Sequence, residues 1–237
     1  MRSDRAKVLH EIAGVPMIQY VVETALAVVD DVVVVIGHQA ESVQKALASY
    51  PLLRFAVQEQ QLGTGHAVVC AMPQVPANIQ DVVVLCGDTP LIKPATVLAL
   101  IDKHRAGGSY LSLLTTTLTE PFGYGRIVLD AVGNPMRIAE ESDANESEKK
   151  IGLVNTGTYC ITKDFLKRAL AGLKDDNAQG EFYLTDVVAW AYQEGRPAVL
   201  LEVGDTIQVI GVNTREELAR AEGAVLSGPQ KSRPKSP

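Results

Sequence analysis

Residues 81–91, DVVVLCGDTPL, constrain the fold more than any other stretch of the chain. Five apolar or β-branched residues lead into Gly87 and Asp88, and Pro90 prevents a strand from continuing. Asp88 is therefore predicted at the carboxyl end of a buried strand, where open α/β sheets bind their ligands. A carboxylate beside a glycine at that position suits a divalent cation held against a phosphate. A simple strand-end turn is the alternative, because Gly-Asp is common turn chemistry.

Apolar patterns on both sides of this strand predict alternating strands and helices. In the first half, strands are predicted at 31–36, 54–58 and 81–85, and helices at 15–28, 40–48, 63–72 and 94–105. In the second half, strands are predicted at 111–118, 126–129, 135–139, 153–161 and 198–203, and helices at 162–170, 184–194 and 215–226. The order predicts an α/β fold with a doubly wound, mostly parallel Rossmann-like sheet and an added antiparallel β layer.

The composition limits the partners and the compartment. A net charge of −6 argues against a nucleic-acid or anionic-membrane surface, and no apolar run approaches the ~20 residues of a membrane span. No secretory signal is visible, and the three cysteines share no metal-type spacing. We expect a cytoplasmic protein with no nucleic-acid or membrane partner; whether it forms a homo-oligomer is left open. Residues 1–226 are predicted to form one domain and 227–237 a disordered tail.

A polar, glycine-rich stretch follows the predicted strand at 54–58. Gln58 and the QLGTGH turn at 61–66 offer a side-chain amide and accessible backbone groups for reading a planar base. The alternative is a helix cap, because Thr64 precedes an apolar helix. The residues alone do not decide between the two.

Further polar residues interrupt the second half at strand ends. Tyr124, between two glycines, suits either a tight turn or a wall over a sugar ring. Glu140 follows one strand and Asn155 lies within another, where buried polar groups need partners such as sugar hydroxyls. Asn213 lies in a VNT stretch that could cap the last helix, and its side-chain oxygen could instead bind a cation.

Four segments carry a resemblance to a known family. They are KVLHEIAG at 7–14, EQQLGTGHA at 59–67, LCGDTPL at 85–91 and NAQGEFYLTD at 177–186. The chain resembles the sugar-phosphate nucleotidyltransferases, and within them the uridylyltransferase domain of bacterial N-acetylglucosamine-1-phosphate uridylyltransferases. The similarity extends from Met1 to about Ala224. It implies a fold of the nucleotide-diphospho-sugar transferase type.

The resemblance also implies a reaction and a site. UTP and N-acetylglucosamine 1-phosphate would give UDP-N-acetylglucosamine and pyrophosphate, with Mg²⁺ as cofactor, for cell-envelope amino-sugar and peptidoglycan precursor synthesis. Catalysis of such a transfer is positioning and charge neutralisation. Carried over position by position, the resemblance assigns Asp88 and Asn213 to Mg²⁺, Lys7 to the phosphates, Gln58, Gly63 and Thr64 to the uridine, and Gly125, Glu140 and Asn155 to the amino sugar.

The chain departs from this family at both ends. Family members begin with a buried strand and a Gly-rich phosphate loop that would precede Met1, and the bifunctional members continue into an acetyltransferase domain. We therefore expect that the open reading frame starts upstream of Met1, that uridylyl transfer is the only activity, and that the chain as given is inactive or nearly so. Two other functions stay open: transfer with another sugar 1-phosphate or with CTP, and non-catalytic binding of a nucleotide sugar.

Overall fold

The computed structural model describes residues 5–227. Within them the strands are β1 (Glu11–Ile12), β2 (Val15–Pro16), β3 (Val33–Ile36), β4 (Arg54–Val57), β5 (Asp81–Val84), β6 (Leu111–Thr117), β7 (Arg126–Leu129), β8 (Pro135–Ala139), β9 (Leu153–Thr162) and β10 (Val199–Glu202). The helices are α1 (Met17–Leu26), α2 (Ala40–Ala46), α3 (Thr64–Ala71), α4 (Pro94–Gly107), α5 (Lys163–Ala171), α6 (Asp186–Gln193) and α7 (Arg215–Ser227). Within this part of the chain, no helix has both the length and the apolar character needed to cross a membrane.

A six-stranded sheet forms the centre of the fold. Its strand order is β10-β6-β9-β7-β8, and β5 pairs with β9 in addition. Strands β5 and β6 are both antiparallel to β9, and β10 is parallel to β6, so β5, β6 and β10 run in one direction. The predicted α/β fold class is confirmed. The antiparallel strands of the second half join this same sheet.

Strand β9 holds the sheet together because it changes partners along its length. Its second half pairs with β5, and Val154 near its start pairs with Arg126 of β7. Gly157 between the two halves has a φ of +75°, which favours glycine. A Cβ at this position would lie 2.4 Å from Cys86 Sγ, so the close approach of β9 to the end of β5 also requires glycine.

Strands β3 and β4 form a separate parallel pair. Among residues 5–227 the other edge of β3 and the second edge of β5 have no strand partner. Helix α3 packs against β3 and β4, and its Val68 belongs to the same apolar cluster as Val82 and Val84 of β5. The two sheets are therefore joined by helix packing, without a shared ladder of backbone hydrogen bonds in the described chain.

The short hairpin β1–β2 was not predicted, because its two-residue strands are too short to show an alternating apolar pattern. Ala13 and Gly14 turn the chain there with φ values of +51° and +80°. The stop of α4 was predicted: Gly108 takes the left-handed conformation after the helix, with a φ of +56°. Of the predicted tail, Ser227 ends α7, and 228–237 lie outside the described residues.

Candidate active site

Three residues that are distant in sequence meet at the end of β5. Lys7 lies in a 3₁₀ turn, Asp88 follows β5, and Asn213 precedes α7. The Lys7 ammonium donates hydrogen bonds to Oδ2 of Asp88 and, at 2.5 Å, to Oδ1 of Asn213. The amide of Val212 donates to the Asp88 carbonyl at 2.8 Å and fixes the two loops against each other. We call Lys7, Asp88 and Asn213 the cation cluster.

Asn213 can reach Lys7 because its neighbours cap the helix. Thr214 Oγ1 accepts from the Glu217 amide at 3.1 Å, and Glu217 Oε2 accepts from the Thr214 amide at 2.8 Å. This reciprocal pair is a capping box. Glu217 also accepts from the Asn213 amide at 2.6 Å. From the sequence, Asn213 could be either a helix cap or a cation ligand. In the structure, the residue that caps the helix is Thr214.

The strand-end turn and the carboxylate site coexist at Asp88. The backbone amide and the hydroxyl of Thr89 both donate hydrogen bonds to the Cys86 carbonyl, at 3.2 and 2.8 Å, and these bonds form the turn. The Asp88 carboxylate takes no part in that turn and converges with the Asn213 oxygen on one positive charge. Two such oxygens suit Mg²⁺, which usually takes one or two protein ligands and completes its shell with waters and phosphates. Consistent with that, residues 5–227 contain no group of three or more His, Cys, Asp or Glu that could hold a metal.

Gly125, Glu140 and Asn155, the residues assigned to the amino sugar, lie together. The backbone amide of Asn155 donates a hydrogen bond to the Gly125 carbonyl at 2.9 Å. A Cβ on Gly125 would lie 2.6 Å from Ile138 and 3.2 Å from Glu140 Oε2, so the glycine is required by close packing. Thr185 Oγ1 donates to Glu140 Oε1 at 2.8 Å. Burial raises the pKa of Glu140, and the Thr185 hydrogen bond opposes that rise.

Asn155 is held by its own strand. Its Nδ2 donates to the Tyr159 hydroxyl at 2.7 Å, and its Oδ1 accepts from the Gly157 amide at 3.1 Å. Burial places the pKa of Tyr159 well above its usual value, so this hydroxyl stays protonated. Burial, helped by Asp88, also raises the pKa of Cys86 to about 12. The neutral Cys86 thiol donates to the Gly157 carbonyl at 3.4 Å and connects the Asn155 region to the β5 end.

Tyr124 lies close to the cation cluster. Burial raises the pKa of its phenol, and the negative charges of Glu217 and Asp88 raise it further. A backbone hydrogen bond with Gly211 acts in the opposite direction. Tyr124 is therefore a neutral, half-buried aromatic ring near the strand-end carboxylate, and its backbone amide closes a turn by donating to the Pro121 carbonyl at 3.2 Å.

The residues assigned to the base line a separate cleft of about 340 Å³. Its lining residues are Gly37, His38, Gln58, Gln61, Gly63, Thr64, Ala67 and Glu181. Gln58 Nε2 donates to the Gly63 carbonyl at 3.0 Å, which closes the loop between β4 and α3. Gly63 has a φ of +102°, and a Cβ there would lie 2.7 Å from the Phe182 carbonyl.

Thr64 does not cap α3, so the helix-cap interpretation of this residue is wrong. Gly63 occupies the cap position, and no side chain caps the helix. Thr64 Oγ1 instead accepts from the Leu184 amide at 3.0 Å. The threonine fixes the cleft to a distant loop.

Residues 182–185, which we call the bridging segment, connect the cleft to the amino-sugar residues. Phe182 exchanges backbone hydrogen bonds with Leu62 and Gly65, at 2.8 and 2.7 Å. Three residues later, Thr185 holds Glu140. Neither Thr185 nor Tyr159 was predicted from the sequence to be a site residue. The signal for Thr185 was its place in the NAQGEFYLTD segment; Tyr159 carried no comparable signal.

A strand-end carboxylate, a cleft with an amide at its wall and a group of hydrogen-bonded polar residues are the parts that a nucleotidyltransferase requires, and the family model places the chain in that class. The chain belongs to the family of the MobA-like NTP transferase domain, whose model matches residues 1–134.

The relatives agree with this assignment. The chain is 44% identical to the bifunctional protein GlmU of Geotalea uraniireducens (strain Rf4) over 229 residues, which cover 96% of this chain and 50% of the relative. It is 47% identical to that of Sorangium cellulosum (strain So ce56), over 94% of this chain and 48% of the relative. The chain thus spans about half the length of these curated relatives. The resemblance seen in the sequence is confirmed.

Solved structures support the fold. A UDP-glucose pyrophosphorylase complexed with UDP-glucose superposes with a TM-score of 0.71 at 19% identity, over 92% of this chain and 89% of the other. A putative glucose-1-phosphate thymidylyltransferase from Bacillus anthracis, in complex with a sucrose, superposes with a TM-score of 0.75 at 19% identity. The match covers 95% of this chain and 89% of the other. At these identities the similarity establishes the architecture alone.

Proposed function

We propose that this chain is the part of a uridylyltransferase that transfers UMP from UTP to N-acetylglucosamine 1-phosphate, giving UDP-N-acetylglucosamine and pyrophosphate. One observation carries the proposal: the bridging segment contacts both the base-side cleft and Glu140, while Cys86 connects the Asn155 region to the end of β5 that carries Asp88. Three groups suited to a base, a phosphate and a sugar are thereby fixed relative to one another. The GlmU relatives, which match nearly the whole chain, support nucleotidyl transfer to a sugar phosphate.

The phosphate chemistry would take place at the cation cluster. Asp88 and Asn213 would hold Mg²⁺, which when bound neutralises phosphate charge. Lys7 is the second positive charge and would contact the phosphates. The sugar phosphate oxygen attacks the α-phosphorus, the new phosphorus–oxygen bond forms, and the bond to the β-phosphate breaks to release pyrophosphate. The chain's residues act by aligning these atoms and by compensating negative charge.

The acceptor sugar would bind between Gly125, Glu140 and Asn155. Glu140 keeps an oxygen that Thr185 does not use, and Asn155 keeps one amide hydrogen beyond the one given to Tyr159. Both side chains are oriented by hydrogen bonds within the protein, so they offer fixed partners to sugar hydroxyl and amide groups. A side chain at Gly125 would collide with Ile138 and Glu140, so the glycine is needed to keep Glu140 in this position.

The test is pyrophosphate release across a matrix of nucleoside triphosphates and sugar 1-phosphates. We expect turnover to be highest with UTP and N-acetylglucosamine 1-phosphate. A different best pair would replace the proposed substrates and keep the transferase class. Binding of UDP-N-acetylglucosamine without turnover of any pair, in a chain extended upstream, would favour the non-catalytic function. A cytoplasmic location, the oligomeric state and the need for Mg²⁺ stay predictions.

A further inference from the structure

The Gln58 amide group has both of its hydrogens committed within the protein. Nε2 donates to the Gly63 carbonyl at 3.0 Å and lies 3.0 Å from Nδ1 of His66. Because a carbonyl oxygen can only accept, the Gly63 contact fixes Nε2 as the donor end of the amide. Within residues 5–227 the Oε1 atom of Gln58 has no hydrogen-bond donor. The side chain therefore offers a ligand in the cleft an acceptor and no donor.

The same contacts define the protonation of the His66 ring. Nδ1 must accept the second Gln58 hydrogen, so a neutral ring carries its proton on Nε2. That nitrogen faces Cys70 Sγ at 3.8 Å, within reach of an N–H···S hydrogen bond. His66 lies in the first turn of α3 and is not among the residues that line the cleft. The Gly63 carbonyl holds one Nε2 hydrogen of Gln58 and the His66 ring holds the other, so neither hydrogen is turned toward a ligand.

We propose that His66 is a positioning residue that fixes the Gln58 amide as a pure acceptor and thereby makes the cleft prefer uracil over cytosine. The inference rests on the proposed function, because it assumes that the cleft holds the base of the nucleotide. Uracil has one N–H on its pairing edge, at N3, and that hydrogen would be donated to Gln58 Oε1. Cytosine has an unprotonated acceptor nitrogen at N3, so two acceptors would face each other. A base that leaves polar groups of the site without partners binds more weakly, so CTP should bind more weakly than UTP.

The experiment compares equilibrium dissociation constants of UTP and CTP, measured by titration calorimetry on the same protein. The ratio of the two constants removes the phosphate contribution, which both nucleotides share. His66→Phe keeps a ring of similar size and removes the acceptor nitrogen. We expect the CTP to UTP ratio to fall about tenfold or more in this variant. His66→Asn can place an amide oxygen near the position of Nδ1, and we expect it to keep most of the discrimination.

Val69→Ala is the matched control on the same helix, because Val69 is exposed and takes no part in the network. Two measurements on the unmodified chain make the test independent of variant folding. The first is binding of 3-methyl-UTP, which cannot donate from N3 and should bind about tenfold more weakly than UTP. The second is the tautomer of His66, read from long-range ¹H–¹⁵N correlations in mildly alkaline buffer.

The outcomes separate this inference from the function on which it rests. If UTP binds, and His66→Phe keeps the full preference over CTP, the positioning role of His66 is refuted while the proposed function stands. A proton on Nδ1, or equal affinity for UTP and 3-methyl-UTP, refutes it in the same way. If neither pyrimidine nucleotide binds, the proposed function and this inference fail together.

Discussion

Replacing Asp88 by Asn separates the chemistry of the cation cluster from its contribution to the fold. The substitution preserves shape and removes one charge that faces Lys7 and Asn213. The side chains of Lys7 and Asp88 are 36% and 27% exposed, so solvent screens their ion pair. Such a pair contributes about 0.2–1 kcal/mol to the free energy of unfolding. For a chain of this length the melting temperature should then fall by no more than about 4 °C.

The expected loss of activity is far larger than this loss of stability. An amide is a poor ligand for a hard cation, and a metal at a phosphoryl site is worth several kcal/mol of transition-state stabilisation. Turnover should therefore fall by roughly 10²–10³-fold. The assay is Mg²⁺-dependent pyrophosphate release, in a chain long enough to turn over, alongside thermal unfolding of the same samples.

Asp205→Asn is the control for this experiment. Asp205 forms a different ion pair, with Lys93 at 3.0 Å, and both side chains are about half exposed. Its replacement removes one carboxylate and should leave turnover unchanged. Unchanged turnover in Asp88→Asn would remove Asp88 from the site. A loss of activity that merely follows a large drop in melting temperature would show that the carboxylate acts on the fold.

Two further predictions concern other parts of the molecule. Glu140→Ala or Asn155→Ala should raise KM for N-acetylglucosamine 1-phosphate about tenfold and change KM for UTP little, because each loses a hydrogen bond to the sugar; equal effects on both substrates would indicate a structural role. Burial lowers the pKa of His104, although Asp81 opposes the shift. The unfolded chain therefore binds a proton more readily, and stability should fall below about pH 6.5, by up to ~1.4 kcal/mol per pH unit, in urea unfolding; His104→Gln should flatten that slope.

The elements of the fold were largely readable from local patterns. The hairpin of β7 and β8 and the helix α4 follow from apolar spacing, a Gly-Asn turn and terminal proline and glycine. Strand pairing was not readable, because the residues of β5, β6 and β7 that pair with β9 lie 28 to 81 residues from their partners in sequence and no local pattern encodes them. The position of β9 between β5 and β6 is decided by packing of the whole chain.

The candidate site was readable where chemistry coincides with a strand end. Asp88 stood out for that reason, and the capping box of Thr214 and Glu217 was visible as a T-x-x-E pattern. Lys7 was assigned through the family resemblance, because nothing local links it to a carboxylate 81 residues away. Thr185 and Tyr159 were missed because they act by holding other site residues. Such roles depend on contacts that exist only in the folded chain.

The separation of β3 and β4 from the central sheet has a consequence for motion. A pair of strands attached by side-chain packing, with no ladder to the larger sheet in the described chain, can open without unfolding the rest of the molecule. The cleft straddles this boundary: Gly37 and Gln58 follow β3 and β4, whereas Glu181 directly precedes the bridging segment. A nucleotide bound there would contact residues on both sides of the boundary. Because it would bind only the closed arrangement, occupancy of the cleft would suppress the opening of β3 and β4 by mass action.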